Sequence, residues 1–283
     1  MKCRRPFSII KGIPVLLPKR LEQEQLLALD VWGKEYRELL EKKDFECWDK
    51  YCSADVALIK ETSVFNKEKD IFLELGCGKA RNCAALLKKG YKNVIGADIC
   101  LDACILASEI CEHYRLTDYF FLVADIYKPP LKRNTIDLIF AGGSIEHFRD
   151  TLGGLRKTYD ILRTDGKLVA TVPYVSVSTL LQGFLTGNVP RLPILGSFYE
   201  FFHTKIMKNK NLMYGFEYSF TWRELRTSLK KIGFIVHCYG LYDVEYDLKF
   251  IPCLLKRIFL KIIRFKLFWP MIYFCAAKSE RKK

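Results

Sequence analysis

Three acidic residues stand at the ends of short apolar runs that are typical of buried strands. Glu74 lies in IFLELGCG, Asp98 ends NVIGAD, and Asp125 ends YFFLVAD. Carboxylates balance positive charge and accept hydrogen bonds from hydroxyl and amino groups. Each acid alone would also suit a helix cap or a solvated turn. Together, at the ends of consecutive strands, they favour a binding site for a cationic ligand that carries sugar hydroxyls.

A glycine-rich turn, Gly76-Cys77-Gly78, follows the first of these runs. Glycine lets the backbone approach a ligand closely and adopt positive φ. A dinucleotide fingerprint would need a further glycine where Arg81 stands, and the carboxylate of Glu74 would repel a phosphate. The turn therefore favours an ammonium or sulfonium ligand over a dinucleotide.

The elements that would carry these residues alternate between strand and helix. Apolar runs at 71–75, 93–97, 119–124, 136–141 and 167–172 are separated by helical patterns, and further strands are predicted at 234–239 and 271–276. This order predicts an α/β fold, a Rossmann-like, seven-stranded, mostly parallel sheet with helices on both faces. Asp137 begins its strand rather than ending it, so we expect its role to be structural.

Successive motifs in this region resemble those of class I S-adenosylmethionine-dependent methyltransferases. They are ELGCGKA, GADIC, VADI and DLIFAGGSIEHF, followed by LRTDGKLVATVPY. The similarity covers roughly residues 50–174, more weakly 221–277, and is greatest to the small-molecule branch that includes quinone-biosynthesis methyltransferases. One departure is Ala80, where the family commonly has a third glycine. The predicted cofactor-binding core is 69–174, preceded by helices within 21–68.

The resemblance implies S-adenosyl-L-methionine as the cofactor and gives roles to the motif residues. Those implied for its methionine end are Glu74, Gly76, Cys77 and Gly78. Those implied for its ribose and adenine are Asp98, Ile99, Asp125 and Ile126. Gly142 and Gly143 would line the floor beneath the sulfonium.

Glu146 and His147 are the candidates for catalysis, and they lie in SIEHF, just after the predicted strand 136–141. Methyl transfer from a sulfonium depends largely on positioning, and a base is needed only if the acceptor must lose a proton. An imidazole that titrates near neutral pH can take a hydroxyl or phenolic proton. The alternative for His147 is a residue at a helix start that packs or binds a backbone group.

After Tyr174 the alternation of strands and helices stops. Residues 175–220 contain nine Phe and Tyr together with several Pro and Gly. We predict an aromatic lid inserted over the strand ends, which either packs on the sheet or receives an apolar acceptor. A capping box, Thr221-x-x-Glu224, then starts a helix in the C-terminal part of the core, 221–283.

Positive charge is concentrated in the C-terminal part of the chain. The net charge of the chain is +14, and residues 175–283 hold 18 Lys and Arg against 7 Asp and Glu. Within 248–268 most basic residues fall on one side of a helix, opposite Ile, Leu and Phe. This pattern predicts a basic amphipathic helix that contacts an anionic membrane surface. The alternative is an ordinary amphipathic helix packed on the sheet.

The first 20 residues are interpreted as an N-terminal arm. CRRPFSIIKGIPVLLP resembles the end of a small zinc ribbon that precedes some prokaryotic methyltransferases, but only Cys3 of its ligands remains. An unrelated arm is the alternative.

The eleven cysteines include no Cys-x-x-Cys pair, so no metal site is predicted. An odd number of cysteines, no signal peptide and no long apolar segment predict a cytoplasmic protein, peripheral to the inner face of the membrane.

These features predict an S-adenosylmethionine-dependent methyltransferase that modifies a lipophilic small molecule at the membrane surface, at an oxygen atom. One alternative is an RNA methyltransferase that uses the basic C-terminal half. Another is a non-catalytic S-adenosylmethionine-binding protein that docks on membranes. The predicted strand 136–141 continues as AGGSIEH rather than as the Asn-Pro-Pro-Tyr type of loop, which occurs in families that methylate the amino groups of bases. Nucleic acid is therefore the less favoured partner.

Overall fold

The computed structural model describes residues 6–21, 23–147, 149–186, 188–207, 217–242 and 261–279. Its strands are β1 (Ser8–Ile10), β2 (Ile13–Val15), β3 (Phe72–Leu75), β4 (Val94–Asp98), β5 (Tyr119–Val123), β6 (Ile136–Gly142), β7 (Leu162–Pro173), β8 (Val189–Pro190), β9 (Tyr218–Ser219), β10 (Phe234–Leu241) and β11 (Met271–Lys278). Nine strands form one sheet in the order β1-β2-β5-β4-β3-β6-β7-β11-β10, while β8 and β9 form a separate pair. Strands β3 to β7 run parallel, and β11 is antiparallel to both β7 and β10. The predicted α/β fold with a mostly parallel sheet is confirmed.

Helices cover both faces of this sheet. They are α1 (Gln23–Lys42), α2 (Lys50–Thr62), α3 (Arg81–Lys88), α4 (Leu101–His113), α5 (Thr151–Ile161), α6 (Val177–Thr186), α7 (Pro193–Phe201) and α8 (Trp222–Ile232). One buried cluster joins Phe72 of β3 to residues of α2, α3 and α4, and a second joins Leu73 to residues of α5 and α8. Successive side chains of a strand point to opposite faces, so the two clusters lie on opposite sides of the sheet.

The predicted number of seven strands is wrong because a hairpin adds two strands to the main sheet. Strands β1 and β2 pair antiparallel, and Val15 of β2 pairs with Val123 of β5. The turn between them, Lys11-Gly12, has positive φ at both residues, as a tight two-residue hairpin requires. The residues of β1 are exposed, so no alternation of buried and exposed positions marks this strand in the sequence.

The described residues show no group of three or more side chains placed to hold a metal ion. Cys3, which the zinc-ribbon resemblance singles out, lies outside the described residues.

Apolar residues spaced by three and four from Ile145 to Leu162 predict one helix, but this segment is divided in the structure. A 3-10 turn spans Ile145–His147, and α5 begins only at Thr151, where the side chain of Asp150 accepts a hydrogen bond from the N–H of Gly153. The helix that follows the insertion has the predicted cap, since the side chain of Thr221 accepts from the N–H of Glu224. That helix ends at Gly233, whose φ of 117° is unfavourable for other residues.

The predicted insertion, 175–220, contains α6, α7, a π-helical turn at Phe202–Ile206, and the short strands β8 and β9. Residues 187 and 208–216 of it lie outside the described residues, as do 243–260, which include most of the predicted basic helix at 248–268. The described remainder of that helix ends in a 3-10 turn at Lys266–Phe268. None of the helices in the described ranges is long and apolar enough to span a bilayer.

Candidate active site

A cavity of about 590 Å³ lies at the edge of the sheet where β3, β4, β5 and β6 end. Parallel strands place their carboxyl ends at one edge, and ligands of open α/β sheets bind there. All ten predicted cofactor residues line this cavity, namely Glu74, Gly76, Cys77, Gly78, Asp98, Ile99, Asp125, Ile126, Gly142 and Gly143. Of the two predicted catalytic residues, His147 lines the cavity and Glu146 does not.

The turn after β3 leaves no room for side chains at its two glycines. Gly76 and Gly78 have φ values of 66° and 52°. A Cβ atom at Gly76 would lie 3.0 Å from the Cβ of Ser144, and one at Gly78 would lie 2.6 Å from the hydroxyl of Tyr36. Both positions therefore require glycine for conformation and for space. Ala80, with φ of 53°, adopts the same left-handed conformation just before α3 begins.

Asp98 ties the end of β4 to this turn. One carboxylate oxygen accepts a hydrogen bond from the N–H of Gly78 at 2.9 Å, and the other accepts from the N–H of Cys100 at 2.9 Å. Burial raises the pKa of this carboxyl, although the backbone hydrogen bonds from Cys100 and Gly78 oppose the shift. A carboxylate has about four lone-pair positions, so Asp98 can also accept a hydrogen bond from a ligand hydroxyl.

Asp125 has the equivalent position after β5 and is almost completely buried. One of its oxygens accepts a hydrogen bond from the N–H of Tyr127 at 2.9 Å, which fixes the side chain beside the cavity. Ile126, the residue between them, supplies an apolar surface of the same wall.

Cys77 contributes a neutral thiol to the cavity. A hydrogen bond with Cys104 and burial raise its pKa well above the usual range, so the thiol stays protonated. A protonated, buried thiol is neither a nucleophile nor a metal ligand.

Glu74 is buried where β3 meets α3. Its carboxylate accepts hydrogen bonds from the side-chain amide of Asn82 at 2.8 Å and from the N–H of Cys83 at 3.2 Å. Burial raises the pKa of Glu74 to about 7. The carboxyl is therefore poised to ionise fully when a cation binds next to it.

Glu146 occupies a different environment from His147, although they are adjacent in the 3-10 turn. Glu146 is buried, and its Oε2 atom has no hydrogen-bond partner among the described residues. Burial raises its pKa to about 8, and Glu217 contributes to the shift. The turn packs against β7, β9 and α5, and Glu146 lies next to Gly143 but does not line the cavity.

One wall of the cavity comes from α1, which the sequence predicted only as a helix. Trp32, Tyr36 and Leu39 line it. They are spaced by four and three residues, so they lie on one side of the helix, and the rings of Trp32 and Tyr36 stack at 6.2 Å. This spacing indicated an apolar helix face, but it did not indicate that the face covers a ligand. Asp55 of α2 and Asn82 of α3 also line the cavity and were not predicted as site residues.

The residues present fit S-adenosylmethionine. The cavity offers buried carboxylates for a cation and for hydroxyl groups, and a glycine turn that any Cβ would obstruct. Asn82, which also lines the cavity, has a buried Oδ1 atom without a hydrogen-bond partner in the described part of the chain.

Residues 73–170 match a family model described as a methyltransferase domain. No curated protein matches the sequence. This domain confirms the prediction of a methyltransferase, for which S-adenosylmethionine is the predicted cofactor.

Solved structures with the same fold are distant in sequence. A complex of the Haloferax volcanii methyltransferase activator Trm112 with a methyltransferase matches at 16% identity and a TM-score of 0.61, covering 90% of this chain and 98% of that chain. Geranyl diphosphate C-methyltransferase from Streptomyces coelicolor matches at 11% identity and 0.59, covering 80% and 79%. Magnesium protoporphyrin IX methyltransferase from Synechocystis matches at 13% identity and 0.53, covering 81% and 82%. These likenesses establish the fold.

Proposed function

We propose that this methyltransferase transfers the methyl group of S-adenosylmethionine to an oxygen atom of a lipophilic small molecule. The enzyme is bound to an anionic membrane surface during this transfer. The observation that carries the proposal is the cavity in which the ends of four parallel strands bring Glu74, Asp98, Asp125 and His147 together. When bound, the cofactor supplies an electrophilic methyl group on a sulfonium. The chain's own residues orient that group and prepare the acceptor.

The proposed cofactor roles follow the order of the strands. Glu74 and the turn 76–78 hold the methionine end. Asp98 accepts from the ribose hydroxyls while Ile99 packs on the adenine, and Asp125 with Ile126 binds the adenine edge. Gly142 and Gly143 form the floor beneath the sulfonium, where bulkier residues would separate donor and acceptor. The core at 69–174, with 21–68 before it and 221–283 after it, is the domain division that we propose.

His147 is the proposed base, because it lines the cavity whereas Glu146 does not. Oxygen is the proposed acceptor atom because a hydroxyl group must lose a proton during transfer, which gives the imidazole a function. Glu146 lies within the fold beside the insertion, where a protonated carboxyl can donate a hydrogen bond.

A lipophilic acceptor is supported by two observations. The structures similar to this chain include enzymes named for geranyl diphosphate and for magnesium protoporphyrin IX, whose substrates carry large apolar parts. In the insertion that follows β7, one side of α7 presents Ile194, Phe198 and Phe201 with exposed fractions of 89%, 50% and 57%. We propose that 175–220 delivers the acceptor to the cavity, although its described residues do not line the cavity.

The proposed membrane contact combines these apolar side chains with nearby positive charge. The hydroxyl of Tyr199 on α7 donates to the carbonyl of Leu180 on α6, and Ser178 of α6 donates to the carbonyl of Phe268. The segment 261–268 therefore adjoins the insertion, and it exposes Phe265 and Leu267 next to Lys261 and Arg264. Exposed apolar side chains among basic ones favour the interface of an anionic bilayer.

Transfer of the methyl group is tested with radiolabelled S-adenosylmethionine and a lipid extract of membranes. We expect label in the organic phase, and a loss of about 100-fold in rate in His147→Ala with unchanged binding of S-adenosylhomocysteine. Label that enters RNA instead of the extract would contradict the acceptor class.

Membrane binding is tested by flotation with phosphatidylglycerol-containing vesicles and with neutral vesicles. We expect the wild type to float only with the anionic vesicles, and the double variant Lys261→Glu/Arg264→Glu to stay in solution. The matched control is Lys34→Glu/Lys60→Glu, which makes the same change of charge at exposed positions of α1 and α2. Equal flotation of both double variants would contradict a role for 261–268.

A further inference from the structure

Two buried carboxylates share one amide group at the end of the cavity next to α2. The Nδ2 atom of Asn82 donates to Glu74 at 2.8 Å and to Asp55 at 3.1 Å. Asp55, Glu74 and Asn82 are 5%, 5% and 3% exposed, and all three line the cavity. Two acids that face one neutral amide form a site with an excess of negative charge.

No ion pair neutralises this charge within the described residues. Arg81 also lines the cavity and its positive charge acts on Asp55 and Glu74, but its guanidinium forms its ion pair with Asp49 at the start of α2. The salt bridges of the described chain include neither Asp55 nor Glu74. Burying two carboxylates without a cation is unfavourable, so a positively charged ligand group would be stabilised here.

Asn82 adds a second, independent indication of a ligand. Both hydrogens of its amide group are used by the two carboxylates, whereas its Oδ1 atom is buried and has no hydrogen-bond partner in the described part of the chain. Almost every buried polar atom of a folded protein is hydrogen-bonded. The site thus combines two anionic acceptors with one unsatisfied neutral acceptor, which matches the three N–H donors of an ammonium group.

Asp55 is itself held in place from the other end of the chain. The hydroxyl of Tyr242, the residue that follows β10, donates to its Oδ1 atom at 2.5 Å. Asp55 and Tyr242 both lie outside residues 73–170, the range that matches the methyltransferase domain. Segments before and after that domain are therefore needed to build this end of the cavity.

We propose that Asp55, together with Glu74 and Asn82, binds the α-ammonium group of the methionine moiety of the cofactor, with Tyr242 as the residue that positions Asp55. This inference rests on the proposed orientation of the cofactor, with its methionine end at Glu74. It adds a binding residue from α2 that the sequence motifs do not contain. It also fixes the sign of the charge that this end of the cavity accepts.

The test compares two ligands by titration calorimetry. S-adenosylhomocysteine carries the amino-acid group, whereas 5′-methylthioadenosine has the same nucleoside and thioether but no ammonium. In Asp55→Asn we expect the affinity for S-adenosylhomocysteine to fall by about 10- to 100-fold, and that for 5′-methylthioadenosine to stay unchanged. Tyr242→Phe should weaken S-adenosylhomocysteine by about 3- to 10-fold, again without effect on the other ligand.

The matched control is Asp118→Asn, an exposed aspartate with positive φ that asparagine also tolerates. It should bind both ligands like the wild type, and the unchanged affinity of the variants for 5′-methylthioadenosine shows that they are folded. If Asp55→Asn keeps its affinity for S-adenosylhomocysteine, or loses affinity for both ligands equally, the role of Asp55 is overturned. The rest of the proposed cofactor site is not affected by this result. A tighter complex with S-adenosylhomocysteine would mean that the subsite receives the carboxylate end instead. Failure of the wild type to bind either ligand would overturn the proposed cofactor site as a whole.

Discussion

The hydroxyl of Tyr36 lies where a side chain at Gly78 would begin, since a Cβ atom on Gly78 would be 2.6 Å from it. Tyr36 belongs to α1 and Gly78 to the turn after β3, so the N-terminal helix closes against the glycine turn. Burial, with Asp98 nearby, raises the pKa of Tyr36 far above its usual range, and the hydroxyl stays protonated. A substitution at either residue therefore changes the shape of the cavity that both residues line.

Gly78→Ala is expected to weaken binding of S-adenosylhomocysteine by more than about tenfold, because the new methyl group displaces Tyr36 or opens the turn. Gly90→Ala is the matched control. Gly90 also has positive φ, 79°, but a Cβ there would meet nothing within 4 Å. Both variants should lose about 1 kcal/mol of stability from backbone strain, and only Gly78→Ala should lose affinity. Calorimetry and urea unfolding measure the two effects, and equal affinities would contradict the prediction.

The affinity for S-adenosylhomocysteine is expected to depend on pH through Glu74. The pKa of about 7 means that this carboxyl is partly protonated in the ligand-free protein at neutral pH. A cation binds the ionised form, so affinity should be constant above about pH 8 and fall towards tenfold per unit well below pH 7. The groups that face Glu74 are Asp55 from α2, with Arg81 and Cys83 from α3. Binding of 5′-methylthioadenosine should be independent of pH, and a parallel decline of both ligands would exclude Glu74 as the cause.

Glu146→Gln should stabilise the protein at alkaline pH. The pKa of Glu146 is about 8 in the folded protein and about 4.5 in the unfolded chain, so its contribution to stability is present below pH 4.5 and is lost as pH rises through 8. Glutamine keeps the shape of the protonated side chain. We expect the variant to be more stable than the wild type by about 2–4 kcal/mol at pH 8, with little difference at pH 5. The control is Glu41→Gln, at an exposed position of α1, and thermal unfolding of both variants at both pH values tests the prediction.

Asp137 and Asp98 are both acids of the central strands, but they should respond differently to alanine. Asp137 accepts a hydrogen bond from the N–H of Ile71 at 2.7 Å and pairs with Arg163, away from the cavity. Asp137→Ala should cost about 1–3 kcal/mol of stability and leave ligand affinity unchanged. Asp98→Ala should reduce affinity by more than about tenfold, because it removes the proposed acceptor for the ribose hydroxyls. It also leaves the N–H groups of Gly78 and Cys100 without their hydrogen-bond partner. Loss of affinity in Asp137→Ala at a temperature where it is folded would contradict its structural role.

The sequence predicted the central strands and the residues at their ends because both follow from local patterns. Short apolar runs mark the parallel strands, and the residue that ends each run lies at the ligand-binding edge whatever the order of the strands. For this reason all the predicted residues from Glu74 to Gly143 line one cavity. Glu146 was predicted on the same basis as His147, yet a turn directs neighbouring residues into different environments, and nothing in SIEHF distinguishes them.

The remaining features depend on contacts between distant segments. The hairpin of β1 and β2 shows no buried face in its first strand, so its addition to β5 was not predicted. Trp32 and Tyr36 form an apolar stripe that would suit any helix packed on a core. Asp55 occurs in an ordinary amphipathic helix, and only its hydrogen bonds with Asn82 and Tyr242 distinguish it from a surface acid.

The hydrogen bond between Asp55 and Tyr242 joins residues that are 187 positions apart in the chain. Contacts of such long sequence separation form late in folding, because a large loop must close before they contribute any stability. The ammonium end of the cavity is consequently completed only after β10 and β11 have joined the sheet. During synthesis, a chain that has emerged only as far as β7 already contains the residues of the glycine turn and the acids at the ends of β4 and β5, whereas Tyr242 has not yet been added. Full affinity for the methyl donor thus arises only once the C-terminal strands have folded.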